Sequence, residues 1–247
     1  MTLQERSCSI EKEVLHLSDR KDRTGLDERP RYILAQAARY VHISPTTLRS
    51  WVVGRTYQTA SGSRYFRPLI ARPVPEDARL SFPNLIEAHV LRALRVRHEV
   101  PMSALRTALD YAESECNIKR LLLHSDLRTG AGTVFIERLG QIIDLGRSGQ
   151  IVLKELLNAH LNRIDRNLEG LPLRLFPVIT ARGVDGPRIV AVDPKIAFGR
   201  PIISGKGVRT LTIVERLDAG EERSAIAADY GLEEREIDEA ILYESAA

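Results

Sequence analysis

Residues 37–51 read AARYVHISPTTLRSW, and this stretch carries the pattern of two short helices joined by a tight turn. Apolar residues recur at helical spacing on both sides of His42. They are Leu34, Ala37 and Val41 before the turn and Leu48, Trp51 and Val52 after it. Ser44 can cap the second helix by accepting a hydrogen bond from a free backbone N–H, and Pro45 fits the first helical position. The sequence therefore predicts a helical hairpin with His42 in its turn.

The second predicted helix places polar side chains on its outer face near its N-terminal end. These residues are Ser44, Thr46, Thr47, Arg49 and Ser50. Hydroxyl and guanidinium groups bond phosphates and base edges, and a recognition helix uses its N-terminal residues in this way. Two interpretations remain open for this segment: a helix–turn–helix that reads DNA, or a structural helical hairpin within a core.

The charge distribution favours the DNA-reading interpretation. The net charge is only +3, but residues 29–75 contain eight arginines and neither Asp nor Glu. These are Arg29, Arg31, Arg39, Arg49, Arg55, Arg64, Arg67 and Arg72. Such a segment attracts phosphate. Residues 218–244 have the opposite character, with ten acidic residues against two arginines, so the two ends of the chain differ in sign.

A β-hairpin is predicted directly after the second helix. Residues 56–59 and 64–66 flank the turn Ser61-Gly62-Ser63, and two helical patterns follow at residues 85–94 and 102–112. The hairpin would form a wing along the DNA backbone. Its candidate contact residues are Arg55, Arg64 and Tyr65.

This order of helix–turn–helix, wing and two further helices resembles the DNA-binding domain of MerR-type regulators over residues 30–115. The matching segments are AQAARYVHISPTTLRSW, GSRYF and LRALRVRHEVPMSALRTAL. The resemblance implies binding of operator double-stranded DNA as a homodimer, with half-sites about one or two helical turns apart. A glycine is usual in the turn of this family where this chain has His42, and histidine tolerates positive φ better than branched residues do.

Residues 120–190 predict a small mixed α/β region without a recognisable motif. Three β-prone runs are expected at 133–136, 141–143 and 150–153, separated by glycines. A helix is expected next, with an apolar stripe from Leu153 to Ile164 that includes His160 as a buried structural residue. Two further strands are expected at residues 173–178 and 188–192.

The C-terminal segment begins with a loop rich in glycine and proline and continues with three short helical patterns, at residues 210–218, 222–229 and 233–243. Its motifs are Asp193-Pro194, Gly199-Arg200-Pro201-Ile202, Gly205-Lys206-Gly207-Val208-Arg209 and Tyr230-Gly231-Leu232. They resemble the family called domain of unknown function 433. Gly207-Val208-Arg209 departs from the order Gly-Thr-Arg-Val that is more frequent in that family.

That family occurs in antitoxins of type II toxin–antitoxin pairs, opposite toxins with a PIN-type ribonuclease fold, so a chain with both modules resembles a VapB-type antitoxin. PIN-type sites hold a metal with carboxylates, and a basic side chain can pair with those acids. Arg200, Lys206 and Arg209 are the candidate toxin-binding residues. Ordinary turn geometry and solvated charges are the alternative interpretation for this loop.

The three tail helices are expected to form a module that is itself similar to a helix–turn–helix. Their acidic residues would be repelled by a phosphate backbone, so a second DNA-reading site is disfavoured. The acids form either a protein-binding or dimerising surface or an ordinary solvated face.

Several function classes are disfavoured by the residues present. No nucleophile motif, dinucleotide loop or carboxylate pair occurs, so no catalytic residue, enzyme activity or cofactor is expected. The six histidines are scattered, and Cys8 and Cys116 are far apart, so no metal site is expected. No run of 18 apolar residues occurs, and the N-terminus lacks the layout of a signal peptide, which predicts a cytoplasmic protein.

The sequence as a whole predicts an α+β chain in four segments. They are a lead-in at residues 1–28, a MerR-like winged helix at 29–116, a small α/β connector at 117–192 and a three-helix module at 193–247. The expected function is that of an antitoxin that neutralises a PIN-domain ribonuclease encoded nearby and represses its own operon. The alternatives are a MerR-like transcriptional regulator that responds to a small-molecule effector, and a DNA-architectural or recombination accessory factor.

Overall fold

The structure is a computed structural model that describes residues 26–60, 62–98, 100–115, 117–124, 127, 130–144, 146–179 and 182–246. Residues 1–25 of the predicted lead-in, Ser61 and both cysteines lie outside the described residues. Contacts divide the described chain into two compact units. The terminal unit comprises residues 27–89, 163–167 and 172–246, and the helical unit comprises residues 90–162 and 168–171. The four predicted segment boundaries stay a prediction.

The predicted helical hairpin is confirmed in the terminal unit. Helix α1 spans Leu34–Tyr40 and helix α2 spans Pro45–Val52. The backbone N–H of Thr47 donates to Ser44 Oγ over 3.1 Å, which is the predicted cap. His42 adopts the expected left-handed conformation with φ of 51°. Small buried side chains on α1 and the buried Trp51 of α2 allow the two helices to pack closely.

The predicted wing is also confirmed. Strand β1 spans Arg55–Thr59, strand β2 spans Gly62–Phe66, and the two pair in antiparallel fashion. Helix α3, Phe82–His98, follows. Its residues 82–89 belong to the terminal unit and its residues 90–98 to the helical unit. Helix α4, Met102–Ser114, begins after Pro101, which occupies its N-cap position.

The strands predicted over residues 133–153 are wrong, because this region is helical. Helix α5 spans Gly130–Ile142, and helix α6 spans Arg147–Leu161. The buried side chains of α6 are Leu153, Leu157, His160 and Leu161. Their spacing of three and four residues is that of a helix face. The prediction followed β-branched residues in short runs, but buried residues of α5 also recur at helical spacing, at Phe135, Ile136 and Leu139, and this periodicity decides the structure.

Gly140 had been interpreted as a break between strands, but it lies inside α5. A Cβ atom at Gly140 would lie 2.7 Å from the side chain of Gln150 on α6. The glycine therefore permits close packing of two helices. His160 is buried as expected and lies near the end of α6.

A four-stranded antiparallel sheet forms the centre of the rest of the terminal unit. Its strands are β3 at Ile164–Arg166, β4 at Pro172–Leu175, β5 at Val190–Val192 and β6 at Pro201–Ile203, in that order. Strands β4 and β5 confirm the two expected strands in shorter form. Strand β3 had been predicted as the end of a helix, and β6 as part of a loop. Both contain only three residues, which is too few to show a period-2 pattern.

Three helices follow the sheet, close to their predicted positions. They are α7 at Thr210–Asp218, α8 at Arg223–Tyr230 and α9 at Glu234–Ser245. One side of each helix contributes an isoleucine to a buried cluster with sheet residues Val190 and Ile203. The helix residues are Ile213, Ile226 and Ile237. No helix within the described ranges is both long and apolar enough to cross a membrane.

Tyr243 on α9 joins the C-terminal helices to the helix–turn–helix inside the terminal unit. Its side chain is fully buried, and its hydroxyl donates to the carbonyl oxygen of Tyr40 over 3.2 Å. Burial raises the pKa of Tyr243 well above its ordinary value, so the hydroxyl keeps the proton that it donates. Helix α9 therefore helps to stabilise the position of α1.

We expect Tyr243→Ala to lower the free energy of unfolding by about 3–5 kcal/mol, because the substitution leaves a large cavity beneath α1. Tyr243→Phe removes only the hydroxyl and should cost about 1 kcal/mol. The matched control Tyr57→Ala truncates an exposed tyrosine and should change stability by about 0.5 kcal/mol or less. Urea unfolding measures all three free energies. Equal losses of stability in Tyr243→Ala and Tyr57→Ala would show that α9 does not support the helix–turn–helix.

Candidate nucleic-acid interface

The hydroxyl groups at the start of α2 bond mainly to the helix itself. Ser44 Oγ donates to Thr47 Oγ1 over 2.8 Å, and Ser50 Oγ donates to the carbonyl oxygen of Thr47 over 2.7 Å. Thr46 and Arg49 are exposed on the outer face instead. Of the five residues predicted on α2, Thr46 and Arg49 are therefore best placed to contact a ligand, while the hydroxyl groups of the other three are bonded within the helix.

The wing presents two arginines and a tyrosine on one face. Arg55 pairs with Phe66, and Tyr57 pairs with Arg64. Paired residues lie on the same side of a sheet, and so do residues two apart along a strand. Arg55, Tyr57 and Arg64 therefore share a face. Sequence reasoning missed Tyr57, although the pairing register across the short turn was a signal that could have identified it.

Tyr65 lies on the other face of the wing and ties it to the helix–turn–helix. Its hydroxyl donates to the carbonyl oxygen of Val53 over 2.8 Å, while the side chain remains exposed. Gly54 permits this approach. It has φ of 84°, and a Cβ atom there would lie 2.4 Å from the carbonyl oxygen of Phe66. The orientation of the wing relative to α2 thus depends on Gly54 and Tyr65.

Three of the eight arginines in residues 29–75 form ion pairs with acidic residues that lie outside this segment. Asp27 accepts hydrogen bonds from Arg29 over 2.7 and 2.8 Å and from Arg31 over 2.6 Å. The hydrogen bonds from Arg29 and Arg31 hold the pKa of Asp27 well below its usual range. Arg39 pairs with Glu244 of the last helix over 2.5 Å. These pairs reduce the positive charge before α2.

Arg49, Arg55 and Arg64 are exposed, and they form no ion pair with any described residue. Two of them lie on the shared face of the wing, and the third lies on the outer face of α2. The positive charge available to a phosphate backbone is therefore concentrated on α2 and the wing.

His42, in the position where MerR-type regulators usually have glycine, contacts the last helix. Its ring lies edge-on to the ring of Tyr243, with 4.7 Å between centroids. Its Nδ1 lies 3.0 Å from the carbonyl oxygen of Ala246, which can only accept, so Nδ1 donates. The departure from the glycine pattern thus corresponds to a contact between the turn and the C-terminal helix.

The three predicted toxin-binding residues have different surroundings. Lys206 Nζ donates to the carbonyl oxygen of Gly231 over 2.5 Å, and therefore holds the turn after α8. Arg200 is exposed, and Arg209 is half-buried at the N-cap of α7. Burial raises the pKa of Tyr40, and the charges of Arg200 and Arg209 act on it in the opposite direction. The charges of Arg200 and Arg209 thus act on a residue at the end of α1, whereas Lys206 is bonded to the turn after α8.

The capped second helix, the tight turn and the attached hairpin define a winged helix–turn–helix protein of the DNA-binding class. Residues 30–109 match the family described as "Putative DNA-binding HTH domain", and residues 190–243 match the family described as "Protein of unknown function (DUF433)". Both predicted resemblances are therefore confirmed at the level of the module.

Whole-chain relatives come from Mycobacterium tuberculosis (strain ATCC 25618 / H37Rv). The protein named "Putative antitoxin VapB45" is 33% identical over 222 residues, which cover 82% of this chain and 89% of the relative. "Uncharacterized protein Rv2308" is 26% identical over 89% of this chain and 92% of its own length. The crystal structure of Rv2018 from Mycobacterium tuberculosis is similar with a TM-score of 0.61 and 26% identity, over 86% of this chain and 97% of that one. The chain belongs to the family of the putative antitoxin VapB45.

We expect Arg49→Ala and Arg64→Ala each to weaken binding to the DNA upstream of this chain's own gene by about tenfold, because each removes an exposed cation from the candidate interface. Each should also reduce the salt dependence of the affinity by about one counterion. Fluorescence anisotropy over a series of salt concentrations measures both effects.

The matched control is Arg216→Ala, because Arg216 lies on α7 and is already bonded to Glu221 and Asp229. It should leave the affinity unchanged. If all three variants bind as the unmodified protein does, or if all three weaken equally, α2 and the wing are not the DNA-binding surface.

Proposed function

We propose that the protein is an antitoxin of a type II toxin–antitoxin system that binds a PIN-type ribonuclease encoded nearby and represses its own operon. The observation that carries this proposal is the 33% identity to the putative antitoxin VapB45 over 82% of the chain. The separate family matches to a DNA-binding helix–turn–helix and to the C-terminal module support it. The helix–turn–helix supplies the repressor part of this function, and the C-terminal module supplies the toxin-binding part.

In the proposed repressor, α2 enters the major groove of the operator and the wing follows the adjacent backbone. Thr46 and Arg49 supply contacts at the start of α2, and Arg55, Tyr57 and Arg64 supply contacts from the wing face. Winged domains of this type read two half-sites, so the operator-binding species is proposed to be a homodimer. The exposed arginines on both elements support this arrangement.

In the proposed toxin complex, cations of residues 195–209 pair with the carboxylates that hold the metal in a PIN-type site. Arg200 is the best candidate, because its side chain is exposed and a guanidinium can bind a carboxylate through two hydrogen bonds. Lys206 is also exposed, although its ammonium group already donates to Gly231. Arg209 is half-buried and contributes from the base of the loop.

Co-expression with the product of the adjacent gene tests the whole proposal. The expected result is a complex that survives size-exclusion chromatography, together with loss of RNA cleavage by that product. DNA binding without any such complex would contradict the proposed antitoxin function and would favour the alternative of an effector-responsive regulator. A complex that still cleaves RNA would show that binding does not neutralise the ribonuclease.

We expect Arg200→Ala to raise the concentration of this protein needed for half-inhibition of RNA cleavage by about thirtyfold or more, since loss of one partner of a buried interfacial charge pair commonly costs about 2–5 kcal/mol. Lys206→Ala should act in the same direction. Inhibition is measured by cleavage of a fluorescent RNA at fixed toxin concentration.

Arg235→Ala is the matched control, because Arg235 is an exposed arginine on α9 that pairs only with its neighbour Glu233 among the described residues. It should inhibit as the unmodified protein does. Full inhibition by Arg200→Ala and Lys206→Ala together would exclude the loop as the inhibitory element.

A further inference from the structure

Three consecutive residues before β6 adopt a left-handed backbone conformation. Ala197 has φ of 47°, Phe198 has φ of 57° and Gly199 has φ of 76°. Only glycine adopts this conformation without steric cost, so Ala197 and Phe198 are strained. Strained residues persist where the surrounding structure holds them in place, and they cluster at functional sites.

Backbone hydrogen bonds close the short turn around Phe198. The N–H of Gly199 donates to the carbonyl oxygen of Ile196 over 2.9 Å, and the N–H of Arg200 donates to that of Ala197 over 3.1 Å. At the start of the loop, the N–H of Lys195 donates to the buried Asp193 over 2.9 Å. The turn is therefore closed by its own backbone.

Both neighbours of Phe198 face the protein interior. Ala197 packs against the buried cluster of Phe176, Ala191 and Ile202. Gly199 lies so close to Tyr32 that a Cβ atom there would be 2.2 Å from the phenolic oxygen. Because both flanking residues are fixed inward, the backbone directs Phe198 outward, and its side chain is 85% exposed.

Exposed apolar side chains are common one at a time and need no explanation by themselves. Phe198 differs because strained backbone holds it outward and because other exposed side chains surround it in sequence. Ile196 is 37% exposed, and Lys195 and Arg200 are exposed cations on either side. An aromatic ring next to an arginine is the composition that dominates the binding energy of protein–protein interfaces.

We propose that Phe198 is the anchor of a protein–protein contact and inserts its ring into an apolar pocket of the partner, with carboxylates at the rim that pair with Lys195 and Arg200. This inference rests on the proposed function, in which the partner is the ribonuclease toxin. A backbone that already presents the side chain outward loses little conformational freedom on binding, which favours affinity. Phe198 then supplies affinity, while the cations supply orientation.

The charge of the neighbouring segment favours a protein over nucleic acid at this loop. Residues 218–244 carry ten acids and two arginines, so a phosphate backbone that approached the tail would be repelled. The loop itself has four basic residues, at 195, 200, 206 and 209, against one acid, Asp193, which is paired with Arg174 over 3.1 Å. A pocket with a carboxylate rim complements this local charge.

The test compares Phe198→Ala with Leu168→Ala in the full-length protein. Leu168 is also fully exposed, but it lies in the turn between β3 and β4, away from the left-handed segment in sequence. The probe is the purified product of the adjacent gene in a catalytically inactive form, titrated by isothermal calorimetry. Phe198→Ala should weaken binding at least thirtyfold, Leu168→Ala should change it less than twofold, and Phe198→Tyr should retain most of the affinity.

Each other outcome overturns the inference in a distinguishable way. Equal affinity for Phe198→Ala and the unmodified protein would remove Phe198 as the anchor but leave the antitoxin function intact. Failure of the unmodified protein to bind the probe would remove the antitoxin function together with this inference. A loss of operator affinity in Phe198→Ala would assign the ring to nucleic acid, and a loss of self-association would assign it to a second copy of this chain.

Discussion

The contact between His42 and the last helix is the constraint on which the geometry of the DNA-binding end depends. A left-handed backbone at a residue other than glycine costs about 1–2 kcal/mol. An edge-on ring contact with Tyr243 returns about 0.5–1.5 kcal/mol, and the hydrogen bond to Ala246 adds about 1 kcal/mol. The turn and the C-terminal helix therefore stabilise each other.

This mutual support explains why residues 27–89 and residues 172–246 lie in one compact unit. Arg39 pairs with Glu244, and Glu244 also accepts a hydrogen bond from the buried Thr210 at the start of α7. At the other end of α1, Tyr32 packs against Gly199 of the tail loop. The loop proposed to meet the toxin and the helix proposed to meet DNA are thus connected through α1. Neither module contains this connection by itself, because the residues that contact each end of α1 lie more than 150 positions away in the sequence.

Local patterns were sufficient to predict those elements whose cause is local. The cap at Ser44, the wing around Gly62 and the three tail helices depend on neighbouring residues, and the structure agrees with each. Residues 133–153 were mispredicted because β-branched runs and glycines outweighed a helical spacing that only packing makes decisive. The pairing of Arg39 with Glu244 could not be predicted from the basic segment alone, because the neutralising acid comes from the opposite end of the chain. For the same reason, counting arginines in a window overestimates the charge that remains available to DNA.

The distribution of charge that remains after pairing separates the two proposed surfaces. Arg49, Arg55 and Arg64 retain their charge on α2 and the wing, where no acid from the tail is paired with them. Arg200 is exposed in the loop before β6, two residues along the chain from the exposed ring of Phe198. Binding to a phosphate backbone does not require such a ring. Phosphate recognition needs many exposed cations on a uniform surface, whereas a protein partner is recognised by one desolvated anchor with a few oriented charges around it. The exposed arginines of α2 and the wing fit the first requirement, and the strained loop around Phe198 fits the second.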